Sequence, residues 1–106
     1  MKIAYHPDFA RDVRKFTDKY RLVYPALGEK FRLEIKVAIN AVKLGPETAG
    51  HLLPTQVVGV RYFRRRNLKS FPFFILYGCS TDMLIFGSII PSRSDPLTWL
   101  SRFPNA

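Results

Sequence analysis

The chain has 106 residues, enough for one hydrophobic core, and 47% of them are apolar, nine of these being Phe. Seventeen Lys and Arg stand against eight Asp and Glu, a net charge of +9. One cysteine and two histidines exclude a disulfide framework and a tetrahedral zinc centre, and no apolar run nears the ~20 residues of a membrane helix.

No repeat, low-complexity stretch or linker interrupts the sequence, so residues 1–106 read as a single domain. The first residues, Met1-Lys2-Ile3-Ala4-Tyr5-His6-Pro7-Asp8, lack the apolar stretch of a signal peptide, and a cytoplasmic location is the expectation. Cys79 follows the apolar run Phe73–Tyr77 and reads as a small buried or half-buried filler.

Lys2 to Tyr5 alternates polar and apolar residues, as a short strand does. Pro7 and Asp8 then suit the start of a helix, one lacking an N–H and the other complementing the positive end. Phe9, Val13, Phe16 and Tyr20 form an apolar stripe with Arg11, Arg14, Lys15 and Asp18 outside it, so an amphipathic helix ends near Arg21. A second helix starts around Pro25 or Ala26, with Leu27, Phe31, Ile35, Ala38 and Val42 on one face. Leu33 and Val37 add a second apolar strip. Gly45-Pro46 is the expected stop, glycine as a left-handed cap and proline as a block. Helices joined this closely should lie antiparallel.

Residues 46–56 read as loop. The period then changes: Val58 to Arg64, Phe71 to Tyr77 and Met83 to Ile90 read as three strands of an antiparallel meander, with Pro72 at the opening of the second. The near-continuous apolarity of the last strand calls for cover on both faces. Asp95-Pro96 reads as cap and first residue of a short terminal helix carrying Leu97, Trp99 and Leu100. The fold class is therefore α+β, a helical hairpin on a small antiparallel sheet in the order β-α-α-β-β-β plus a short C-terminal helix. The sheet face away from the helices, and the strand ends bearing arginine, are expected to be open.

Charge is unevenly placed. Residues 1–54 carry ten bases and six acids, mixed as on solvated helix faces, whereas residues 55–106 carry seven bases and two acids. Five of those bases, Arg61, Arg64, Arg65, Arg66 and Lys69, fall within nine positions that contain no acid. The guanidinium fork matches phosphate and carboxylate, so this cluster is the candidate for holding an acidic target. Alternation puts Val58, Val60 and Tyr62 on one side of the strand and Arg61 and Phe63 on the other, with Arg64, Arg65 and Arg66 running out at its end. Tyr77 and Arg93 join the same expected target surface, Tyr77 for stacking and Arg93 from the far end of the last strand.

The element order, length and charge resemble the RelE/ParE superfamily of toxins from bacterial toxin–antitoxin modules. Gly59-Val60-Arg61, the strand Phe71-Pro72-Phe73-Phe74-Ile75-Leu76-Tyr77, and Asp95-Pro96 with Trp99 look like its ParE branch, often called plasmid-stabilisation proteins. Many members of that branch carry His-x-x-Arg-x-Pro-x-x-Trp after the last strand. Here Pro91 and Ser94 occupy the His and Arg positions, with Arg93 one place early. The resemblance implies a toxin that binds and poisons DNA gyrase and is neutralised by a cognate antitoxin, in oligomeric assembly with it. Tyr24, Leu33 and Val37 are the expected antitoxin contacts, and a disordered acidic partner would complement the +9 surface.

The rival reading is the RelE-like activity, endonucleolytic cutting of ribosome-bound messenger RNA, which the resemblance ties to Arg, Lys and a C-terminal Tyr or His. Leu97 to Ala106 contains neither Tyr nor His. His6 reads as a helix-start residue and His51 as an exposed loop residue, so no acid–base pair emerges. A third reading is a non-toxic basic nucleic-acid-binding relative. No metal or cofactor is expected on any of the three.

Overall fold

The computed structural model describes residues 1–54, 60–95 and 103. The apolar stripe of the first helix becomes α1 (Phe9–Val23), opened by Asp8, whose carboxylate lies 2.9 Å from the Arg11 guanidinium. Tyr24 breaks the helical run with an extended backbone, and α2 (Pro25–Leu44) starts immediately after it with proline in its first turn. Gly45 ends α2 by donating its N–H to the Ala41 carbonyl. It does so at φ −154°, so the left-handed cap expected there is not used. Pro46 drives its predecessor out of the helical region, and an extended Gly45 already terminates the helix.

Five strands form one sheet in the order β1-β5-β4-β3-β2. They are β1 (Lys2–Tyr5), β2 (His51–Leu52), β3 (Tyr62–Asn67), β4 (Phe73–Cys79) and β5 (Met83–Pro91). The expected meander is present as β3-β4-β5, all antiparallel. Three features differ from the expectation. The sheet is mixed, because β1 lies parallel to β5. The segment read as loop contains the short β2, paired with Arg64 and Arg65. And β3 begins at Tyr62 and runs to Asn67, which puts Arg64, Arg65 and Arg66 inside the strand rather than past its end.

Side chains of β4 alternate between two cores. Phe73, Ile75, Tyr77 and Cys79 face the helices and meet Phe9, Phe31, Ile35, Ala38 and Val42. Phe16, Tyr20, Phe31, Phe71 and Phe73 interlock there with ring centres 4.7–6.2 Å apart. Phe74 and Leu76 face the other way and join Leu53, Val60, Phe63, Ile85, Ile90 and Phe103. The face expected to be open is therefore a second core. Phe103 closes it, its ring lying against Gly78 and Gly87 and 4.7 Å from Phe63. A side chain at either glycine would occupy the space of that ring. The register shift between β4 and β5 beside Gly87 lets both Phe86 and Ile89 face the helices, which is why β5 is apolar without alternation.

Cys79 is buried, its Sγ 3.8 Å from the Met1 sulfur. No helix among the described residues is long and apolar enough to cross a membrane. The terminal helix expected from Pro96 onward, with Leu97, Trp99 and Leu100, falls on residues outside the described set.

Candidate basic binding surface

Because β3 is a strand, its three consecutive arginines cannot share a side. Arg64 and Arg66 stand opposite Tyr77 and Ile75 of β4 and so project on the helix side. There they meet the segment that leaves α2. Nη1 of Arg64 donates to the Gly50 carbonyl at 3.0 Å, and Nη1 of Arg66 donates to the Ala49 carbonyl at 2.9 Å. The Tyr77 hydroxyl donates to the Pro46 carbonyl at 2.7 Å. Three side chains from the sheet thus latch one backbone stretch, satisfying carbonyls that neither helix nor ladder can serve. The approach is close: a Cβ on Gly50 would lie 2.7 Å from the Arg65 carbonyl oxygen and 2.8 Å from the Tyr77 hydroxyl. Arg64 also lies over the Tyr62 ring, 5.0 Å from its centre, while its buried Nε has no hydrogen-bond partner among the described residues.

Tyr77 is fully buried, and burial pushes its phenol up to about 12 against the opposing pull of the Arg64 guanidinium. The Tyr62 phenol is raised as well, first by burial and then by its hydrogen bond with Cys79. Both rings are neutral at physiological pH. Tyr77, expected on the target surface as a stacking residue, is instead a core residue with its hydroxyl committed.

Arg65 sits on the opposite side of the sheet. Its guanidinium carbon is 3.9 Å from the centre of the Phe74 ring, and Nε and Nη2 donate to the Asn67 side-chain oxygen at 3.1 and 3.0 Å. Lys69 is exposed in the turn between β3 and β4, and Arg93 is exposed just after β5. The register pairs Asn67 with Phe74 and Phe73 with Pro91, so Lys69 and Arg93 lie beyond the same end of the sheet, Lys69 bordering a helix-side pocket with Glu34, Val37 and Arg66 while Arg65 keeps to the far face. Arg61 is at the other end, its N–H donating to the Cys79 carbonyl, beside a cleft of about 340 Å³ that Glu47, Thr48 and Tyr62 also border. Along β3, Arg61 and Arg65 are about 13 Å apart.

The carboxylates of Asp8, Asp18 and Glu29 pair with Arg11, Arg21 and Arg32 on the helices, and Glu34 accepts the Ser70 N–H. Among the described residues no ion pair joins an arginine of β3 to a carboxylate. Of the seven residues expected to bind the target, Arg61, Arg65, Lys69 and Arg93 remain outward-facing, whereas Arg64 and Arg66 hold the latch.

Tyr24, Leu33 and Val37, expected as contacts for a partner, are exposed by 53%, 48% and 63% on the hairpin. His6 does serve the helix start: its Nδ1 accepts the Asp8 N–H at 3.1 Å. His51 is exposed on β2. No cluster of three His, Cys, Asp or Glu able to hold a metal occurs among the described residues.

No family model matches the chain, and no curated protein does. A solved structure does match, a chain of the chromosomal ParDE TA system from P. aeruginosa, with a TM-score of 0.68 over 86% of this chain and 95% of that one, at 20% sequence identity. The two chains share one fold. At that identity the likeness speaks for the architecture, and the roles of individual side chains rest on their own geometry.

Gly50, Ala49 and Pro46 were not legible as latch residues, because backbone carbonyls leave no mark in composition. The one available signal was the Gly-containing stretch Ala49-Gly50 ahead of a strand, which permits a close approach.

Proposed function

We propose that this chain, as one domain over 1–106, is the toxin of a type II toxin–antitoxin pair: a cytoplasmic, basic protein that acts by gripping an acidic surface and is restrained by a cognate antitoxin. The observation that carries this reading is the shared fold with the ParDE chain over 95% of that chain's length. Two features support it. Lys69 and Arg93 are exposed beyond one end of the sheet and Arg65 lies on its far face, none of them in an ion pair among the described residues, as a binder of phosphate or carboxylate requires. Tyr24, Leu33 and Val37 leave large apolar side chains in water on the hairpin, where an antitoxin segment would cover them and form the mixed assembly. DNA gyrase is the target that the ParE likeness suggests.

Induced expression in bacteria tests the reading, followed by assay of purified protein on gyrase. Growth arrest with filamentation, an SOS response, intact messenger RNA and stalled supercoiling in vitro is the expected result. Messenger RNA cut at ribosomes would move the chain to the endonuclease reading. Normal growth at a high level of folded protein would remove the toxin assignment.

A further inference from the structure

The turn of the helical hairpin is an apolar point. Arg21 to Ala26 are all exposed, and Leu22, Val23, Tyr24, Pro25 and Ala26 bring no charge to it. Leu22 is 87% exposed and Val23 68%. Single apolar side chains on a surface are ordinary, whereas a contiguous group marks contact with something apolar. A run of exposed residues across a helix-to-helix corner makes a projection rather than a groove. Its turn residue spends its backbone internally: the Tyr24 N–H donates to the Tyr20 carbonyl at 3.2 Å, and the Tyr24 carbonyl accepts the Leu27 N–H at 3.1 Å. Pro25 has no N–H to satisfy. Unserved amides are what keep most turns out of hydrocarbon, and this turn has few of them.

Charge around the point is one-sided. Lys15, Lys19 and Leu22 recur at spacings of four and three and so share a face of α1. Both ammonium groups lie beside the Phe16 ring, 5.5 and 5.7 Å from its centre. Lys30 is exposed in the second turn of α2. The neighbouring carboxylates are already used, Asp18 by Arg21, and Glu29 by Arg21 and Arg32. None of the three lysines has an ion pair among the described residues.

We propose that the hairpin turn docks on an anionic lipid bilayer, with Leu22 and Val23 at the acyl boundary, Tyr24 at the level of the headgroups, and Lys15, Lys19 and Lys30 against lipid phosphates. Charge selects this occupant. A second copy would set lysine against lysine in a chain that is +9 overall. A bilayer accepts a projecting point and surrounds it with negative charge, whereas a protein would need a matching cavity. Leu22 and Val23 lie outside the hairpin contacts assigned to the antitoxin, although Tyr24 is shared with them. Docking on lipid goes beyond the toxin reading and does not rest on it, because vesicle binding in vitro is independent of growth arrest.

The intact chain is sedimented with vesicles of phosphatidylcholine alone and with vesicles containing about one-third phosphatidylglycerol. Binding to the anionic vesicles and little to the neutral ones is the expected result. The double variant Leu22→Ser with Val23→Ser keeps the charge and should weaken binding to anionic vesicles by about tenfold or more. Leu44→Ser removes a side chain that is 90% exposed at the other end of α2, and should leave binding unchanged. That end is about 28 Å away along the helix. Lys15→Glu with Lys19→Glu should weaken binding by about tenfold or more. All of these positions are exposed, so Tm should hold in each variant. A chain left in the supernatant with anionic vesicles, or one that binds neutral vesicles equally, would overturn the proposal. So would a serine pair that binds as the parent does, which would mean diffuse adsorption of a cationic protein, or an equal loss with Leu44→Ser. Self-association without lipid that the serine pair abolishes would also overturn it, since a second copy would then cover the turn.

Discussion

Three neighbouring arginines in β3 do three different things, and the difference is measurable one residue at a time. Arg64 and Arg66 each give a charged hydrogen bond to a backbone carbonyl of the Ala49–Gly50 stretch. Removing either should cost about 1.5–3 kcal/mol in urea denaturation, because a carbonyl loses its donor in a partly buried place. Arg65→Ala loses a stacking contact on Phe74 and should cost no more than about 1 kcal/mol. Equal losses at all three positions would contradict the latch. Tyr77 carries a pH signature of the same device. Its phenol is raised from 10.0 to about 12 in the folded chain, so the folded state keeps a proton that the unfolded state gives up. Stability contributed by Tyr77 is complete below pH 10 and is lost as pH rises through the window from 10 to about 12. Tyr77→Phe should flatten the fall in Tm across that window, while lowering stability at neutral pH by about 1–2 kcal/mol through the unserved Pro46 carbonyl. A Phe variant whose alkaline profile matched the parent would show that the phenol is not the titrating group.

At the scale of elements, the helices were legible because a stripe at spacings of three and four has few other uses, and because Pro25 and Gly45-Pro46 punctuate α2 at both ends. The strands were legible in existence and less so in extent. Of the run that reads as strand from Val58 to Arg64, Val58 and Gly59 lie outside the described residues, and the described ladder with β4 runs from Tyr62, opposite Cys79, on to Asn67, three residues past the expected end. The two-residue β2 is too short to show a period and depends on Arg64 and Arg65 across from it. The far-face core was the larger miss. Phe63, Phe74, Leu76, Ile85 and Ile90 were visible as apolar, but Phe103, which completes their cover, lies more than ten positions past β5 with no periodic signal. The arginine cluster was found in the sequence, but its division between latch and open surface is set by strand alternation that continues past the expected strand end at Arg64. Phe103→Ala should therefore lower stability by about 3 kcal/mol or more, as loss of a buried ring generally does. A loss under about 1 kcal/mol would mean the far face is closed by other residues.

For the whole molecule, the decisive quantity is charge left over after folding. Ion pairs among the described residues use helix arginines, and the lysines and arginines at the β3–β4 turn, after β5 and along α2 keep their charge for other molecules. Such a surface speeds encounter with an acidic partner and weakens as salt rises, with screening over about 8 Å at physiological ionic strength. The most direct measurement is growth after induction of the parent chain and of a triple variant, Arg65→Ala, Lys69→Ala and Arg93→Ala, at matched levels of folded protein. The account predicts that the parent arrests growth and that the triple variant, with Tm nearly unchanged, does not. A parent that leaves growth unaffected, or a folded triple variant that arrests cells as the parent does, would contradict it.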